Sequence, residues 1–151
     1  MTTQKRKVVE KDLVLTKDFV FDGDLEVHGN IIGKAGELFD ITVTGNISAW
    51  EVSAWDVSAT GDISMWNIIA QGDISARDIS ITGNVMVARD ISATGDIMVS
   101  GDILAHGDIL ARNITYYAIC VAYRNIKCRK IKGMDTNSMH VALDGTIVEG
   151  D

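Results

Sequence analysis

Three side chains have the chemistry of metal ligands or general bases, His28, His106 and His140, and they lie far apart with no His-x-x-x-His spacing between them. Only a neighbouring subunit's histidine, meeting His28 or His106, would complete a zinc site, and nothing in the spacing asks for one. Cys120 and Cys128 have no Cys-x-x-Cys or Cys/His pattern, so reduced thiols that bind no metal are expected. Aspartate recurs at Asp62, Asp73, Asp78, Asp90, Asp96, Asp102 and Asp108. Such a series could stack into calcium sites, but the Gly-Gly-x-Gly-x-Asp nonapeptide of calcium-binding solenoids is absent, which leaves Asx-turn hydrogen bonding as its expected use. No nucleophile motif, phosphate loop or isolated carboxylate pair stands apart from the repeat, so neither an enzyme nor a cofactor is expected.

The charge pattern says more than the net charge of −7. Residues 45 to 111 hold nine acids against Arg77 and Arg89, whereas Arg124, Lys127, Arg129, Lys130 and Lys132 form a basic run, and Lys5, Arg6 and Lys7 another. The C-terminal run reads as a solvated strand face or a contact for another molecule's acidic body; its alternative use is a weak contact with phosphate or an anionic membrane. No nucleic-acid partner and no small-molecule substrate is expected. No segment has the roughly 18 to 20 uninterrupted apolar residues of a bilayer span, and the start of the chain does not read as a signal peptide, so a soluble cytoplasmic protein is expected.

These residues are positioned by a short internal repeat. Leading aliphatic residues recur every five to seven positions, through Ile47, Val52, Val57, Ile63, Ile68, Ile74 and Ile79 and onward to Ile131. Counted from Leu13 they make twenty-one units. Two places after most of them stands a small or aliphatic residue, such as Ala49, Ala54, Ala59 or Ala76. A spacing of two is a strand with an in-out-in order, and the Gly, Asp and Asn between strands suit tight, partly left-handed corners. A three-residue strand buries too little to stand alone, so the units must stack as a solenoid. An isoleucine beside an alanine fills a narrow interior without overpacking.

Three units per turn give coils of 16 to 18 residues, for example Ile47 to Ile63 and Ile79 to Ile97; four per turn is the alternative count. The expected fold is therefore all-β, a single-stranded, three-sided β-solenoid of about seven coils over residues 9–133. A flexible tail is expected over residues 1–8. Over residues 134–151 a C-terminal hairpin is expected to cap the last coil, turning at Asp144-Gly145. Gly33 to Phe39 interrupts the beat as a loop, with Leu38 or Phe39 folding back over an apolar surface. Proline is absent, as coil-to-coil backbone pairing requires.

The outward residues of one face read Val14, Ile32, Ser53, Ile69, Met86, Leu104 and Cys120, which is apolar in all but one position, while the other two faces are mostly hydroxyl. An apolar stripe suggests a self-association face of Val14, Ile32, Ile69, Met86, Leu104 and Cys120. Trp50 and Trp66 fall on one corner a coil apart, with Tyr117 further along it and Trp55 on the next corner. Without interleaved basic residues they read as packing or oligomer contacts rather than a base-stacking platform.

Val27-His28-Gly29-Asn30-Ile31, Val43-Thr44-Gly45-Asn46-Ile47-Ser48-Ala49 and Ala59-Thr60-Gly61-Asp62-Ile63 resemble the Val-x-Gly-(Asp/Asn)-Ile-x-Ala phrasing of bactofilins, and the resemblance covers about residues 13 to 131. It implies a right-handed three-sided β-helix and a bacterial cytoskeletal protein that polymerises end to end without nucleotide. The expected function is thus a self-associating structural or scaffolding protein, whose partner is another copy. The alternatives are a ligand-binding module presenting Ser/Thr faces to ice or glycan and, after it, an enzyme of the hexapeptide-repeat type.

Overall fold

The computed structural model describes residues 5–150 as a β-solenoid of three parallel sheets with eight strands each. Sheet 1 stacks Arg6–Val9, Asp24–Val27, Ile47–Ser48, Ile63–Met65, Ile79–Ile81, Asp96–Val99, Asn113–Tyr116 and Lys130–Gly133. Sheet 2 stacks Leu13–Leu15, Ile31–Gly33, Glu51–Ala54, Asn67–Ala70, Val85–Val87, Ile103–Ala105, Ile119–Ala122 and Met139–Ala142. Sheet 3 stacks Phe19–Phe21, Ile41–Val43, Val57–Ala59, Ile74–Ala76, Ile91–Ala93, Ile109–Leu110, Ile126–Cys128 and Ile147–Glu149. One strand from each sheet makes a coil.

Both ends of the chain depart from the expected boundaries. Asp144-Gly145 does not turn a hairpin: Met139–Ala142 pairs in parallel with Ile119–Ala122, and Ile147–Glu149 pairs in parallel with Ile126–Cys128. The segment is the eighth coil. Its corner obeys the same pairing as earlier ones, since Asn125 Oδ1 accepts the Thr146 N–H at 2.9 Å. The tail expected over residues 1–8 lies partly outside the described residues; from Arg6 the chain is already a strand, paired with Asp24–Val27.

The interior follows the in-out-in pattern. Ile63, Ile79 and Ile47 share one inward column, and Ile74 lies between Val57 and Ile91 in another, all essentially without solvent exposure. The second inward positions divide the space unequally. Sheets 2 and 3 supply Ala54, Ala70, Ala59 and Ala76, whereas sheet 1 supplies the larger Met65, Ile81, Val99 and Tyr116. In the fourth, sixth and seventh coils one larger second residue fills what the small ones opposite leave open, whereas the third coil carries three alanines, Ala49, Ala54 and Ala59, and the fifth carries both Ile81 and Val87. Phe39 folds back against this core from the loop after Gly33, as expected.

The corner aspartates and asparagines do not make local Asx turns. Most reach along the stack, the Oδ1 accepting the backbone N–H of the equivalent corner residue one coil on, whereas Asp135 accepts the adjacent Thr136 N–H. Before sheet 3 this ladder runs from Asp18 through Asp40, Asp56, Asp73, Asp90 and Asp108 to Asn125 without a break. Shorter ladders run before sheet 1, through Asp24, Asn46, Asp62 and Asp78, and before sheet 2, through Asn67, Asn84 and Asp102. This also explains the glycines. Gly61 and Gly72 do not have positive φ; a Cβ on either would collide with the carboxamide of Asn46 or the carboxylate of Asp56. The corner glycine is therefore a matter of room for the ladder rather than left-handed backbone, which the chain uses at Gly23, Ala35, Gly36 and Gly150.

Candidate interaction surfaces

Sheet 2 presents the apolar face. Val14, Ile69 and Met86 are each about half exposed and Ile32 somewhat less, with Leu104 half-buried in the same outward column. Cys120 does not belong to it. It pairs with Ile103 in the inward column and is fully buried, while Val121 pairs with Leu104 and takes the outward place, followed by Val141. The sequence Ile119-Cys120-Val121-Ala122 offers two in-out-in readings, and Ala122 stacking on Ala105 decides between them. Ile119 instead occupies the ladder column, where its N–H donates to Asp102 Oδ1 at 3.0 Å.

Ser53 interrupts the stripe. Between Ile32 on one side and Ile69 and Met86 on the other, its small side chain leaves a groove of about 290 Å³, bordered by Glu51, Asn67 and Asn84. The outward columns of the other sheets are hydroxyl along their middle, Ser48, Ser64 and Ser80 on sheet 1 and Thr42, Ser58, Ser75 and Ser92 on sheet 3, and continue into the exposed apolar Met98 on sheet 1 and Val20 and Leu110 on sheet 3.

The aromatic corner lies where the sequence places it. Trp50 and Trp66 stack with ring centroids 5.7 Å apart and planes 10° from parallel. Backbone bonds link this corner from Gly29 to Trp50, Trp66 and Gly83, and again from Gly101 to Tyr117. A Cβ on Gly101 would meet the Gly83 carbonyl, so these six residues make one column.

The basic run does not form a single patch. Lys127 points out from sheet 3, Lys132 from sheet 1, and Arg124 and Arg129 sit at successive corners, so the charges encircle the end of the solenoid. A second cationic feature emerges only from stacking. Arg89, His106 and Arg124, from three successive coils, line a groove of about 240 Å³ together with Asp90, an arrangement suited chemically to a small anion. Their spacings of 17 and 18 residues carry no signal until the coil length is known.

The three histidines sit on different coils. His28 lies between two carboxylates, with Nδ1 2.7 Å from Glu10 and Nε2 2.7 Å from Glu26, which is also paired with Arg6. His106 Nδ1 makes only a long contact with the Val87 carbonyl, at 3.4 Å. His140 faces inward, 2.8 Å from the hydroxyl of Tyr116, whose ring is otherwise buried in the core. Burial raises the Tyr116 hydroxyl above its ordinary value, with Cys120 adding to the shift and a Ser138 hydrogen bond opposing it. The Cys120 thiol is pushed up to about 12 by burial and by the neighbouring Cys128, and Cys128 is raised by burial and Glu149. Two surface ion pairs act the other way: hydrogen bonding to Arg77 and Arg112 lowers Asp62 and Asp96. Among the described residues no three His, Cys, Asp or Glu side chains converge on a point that could hold a metal ion. Among the described residues no helix is long and apolar enough to cross a membrane.

No protein-family model matches this chain, and no curated protein and no solved structure matches it either.

Proposed function

We propose that this chain is a structural or scaffolding protein of bactofilin type, a cytoplasmic element that self-associates without nucleotide and performs no catalysis. The observation that carries the reading is the state of the coil ends. The outer edges of Arg6–Val9, Leu13–Leu15 and Phe19–Phe21 at one end, and of Lys130–Gly133, Met139–Ala142 and Ile147–Glu149 at the other, pair with no strand among the described residues. Each is a row of backbone donors and acceptors shaped to receive another parallel strand. Val9, Leu13, Phe19 and Phe21 are only partly covered at the first end, so a second copy stacked there would bury apolar surface as well.

Charge modulates this contact. Both terminal strands of sheet 1 are basic, Arg6 and Lys7 at one end and Lys130 and Lys132 at the other, so end-to-end association should strengthen as salt screens their repulsion. The same basic ends give the protein its secondary partner in this reading, an anionic membrane surface.

Light scattering and negative-stain electron microscopy across a salt series test the proposal. Rods longer than one solenoid, growing with concentration and salt, are the expected result. A species that stays strictly monomeric at high concentration and high salt refutes it. A second reading, a binding face, rests on the hydroxyl ladders of sheets 1 and 3. Thermal hysteresis or retention on a glycan array would favour it.

A further inference from the structure

The outward columns of sheet 2 and of its aromatic corner share a property beyond what each contributes to folding: each is complementary to itself when reversed. Number the coils one to eight and place a two-fold axis along the strand direction, between coils four and five. A second copy then faces the first with its coils in the opposite order. Ser53, the gap in the apolar stripe, meets Leu104 of the second copy, and Ile69 meets Met86. The corner column pairs in the same register. Trp66 falls opposite Gly83 and Trp50 opposite Gly101, while Tyr117 falls opposite Gly29.

We infer that this chain forms an antiparallel, two-fold dimer through sheet 2. The inference rests on the self-association reading and adds to it the face, the polarity and the register. Two independent columns select one axis position. The parallel alternative, with the axis along the solenoid, places each stripe residue opposite its own copy, so that Ser53 faces Ser53 and the groove beside it stays empty. The outward stripe carries no charge from Val14 to Val141, so nothing ionic is desolvated at its centre. Glu51 and Asp102, which lie between the two columns, come opposite each other once on each side of the axis, so the dimer should tighten as salt screens this like-charge contact.

The area is sufficient. Eight strands at about 4.8 Å spacing make a face about 34 Å long, and with its corners about 16 Å wide, so on the order of 1,100 Å² is covered in total. That lies at the lower end of specific interfaces and points to a reversible dimer.

Sedimentation equilibrium and thiol cross-linking test the inference on the full chain. Ser53→Cys and Leu104→Cys are made as separate variants; the native Cys120 and Cys128 are buried and stay out of the reaction. Treating the two variants together with a short bis-maleimide should link a 53–104 dimer, and treating either alone should not, because facing strands pack about 10 Å apart whereas like positions are displaced a further ~14 Å along the solenoid. Trp66→Ala should weaken the dimer about tenfold or more without changing the circular dichroism spectrum. Self-linking of Ser53→Cys overturns the antiparallel order. Failure of the mixture to link, in a wild-type protein that still dimerises, overturns the choice of face while leaving self-association intact. A wild-type protein that sediments as a monomer at about 1 mM overturns the self-association reading itself.

Discussion

The ladder before sheet 3 makes a quantitative prediction about Asp56 and Gly72. Asp56 Oδ1 accepts the Asp73 N–H at 2.7 Å, and the same oxygen occupies the space a Cβ on Gly72 would need. Replacing Asp56 by Ala removes an acceptor from a part-buried N–H and should cost about 1 to 2 kcal/mol, after allowing for relief of repulsion from Asp40 and Asp73. Asp56→Asn keeps the oxygen and drops the charge, as Asn46, Asn67 and Asn84 already do elsewhere, and should fall within about 0.5 kcal/mol of wild type. Gly72→Ala forces the carboxylate aside and should cost about 2 to 3 kcal/mol. In the double variant the obstructing oxygen is gone, and the nearest remaining atom to the new Cβ is the Trp55 carbonyl at 2.9 Å. The combined cost should therefore fall short of the sum by about 1 kcal/mol or more. Urea unfolding of all four variants, compared at equal m value because solenoids can unfold in parts, measures this. Additive costs, or equal costs for Asn and Ala at position 56, would refute the claim that glycine is present to make room for a side-chain acceptor.

Three further outcomes follow from the same structure. Asp62 and Asp96 are lowered by Arg77 and Arg112, so the stability they contribute is complete above the ordinary value of 3.8 and is lost as pH falls below it through their folded values. Substituting Arg77 and Arg112 by Gln should flatten the pH dependence of the urea midpoint in that acid window and leave it little changed at neutral pH, since both pairs are exposed. With its pKa near 12, Cys120 should resist iodoacetamide at pH 8 in the native protein and react in urea, as mass spectrometry would read; rapid native labelling would contradict its inward placement. Tyr116→Phe should cost about 1 kcal/mol through the lost bond to His140, whereas Gly133→Ala should cost more, because its Cβ would press on both the Tyr116 ring and Ser138; thermal unfolding ranks the two.

Residue spacing alone made the coil legible because a three-residue strand with a short corner leaves few alternatives. The inward column from Ile47 to Ile131, the alanines opposite, the aromatic corner and the loop that returns Phe39 to the core all follow from counting. Local ambiguity explains the misreadings. In Ile119-Cys120-Val121-Ala122 either phase satisfies an alternating pattern, and the stack on Ile103 and Ala105 chooses one. Val141-Ala142-Leu143-Asp144-Gly145 has the residues of a hairpin, yet the open edge of the seventh coil offers parallel pairing to both flanking strands.

The sequence by itself determined the repeat, its in-out-in strands and their short corners, because those depend on spacing along the chain; that three strands and not four close a coil was decided by the sheet pairing. Only the tertiary structure decided what the spacing aligns across coils: the Asx ladders, the steric use of glycine, the groove at Ser53, and the cluster of Arg89, His106 and Arg124. Each of these joins residues about one coil apart, and coils differ in length by a few residues. Which side chains meet is therefore a property of the accumulated register, which the backbone hydrogen bonds set and no local motif records.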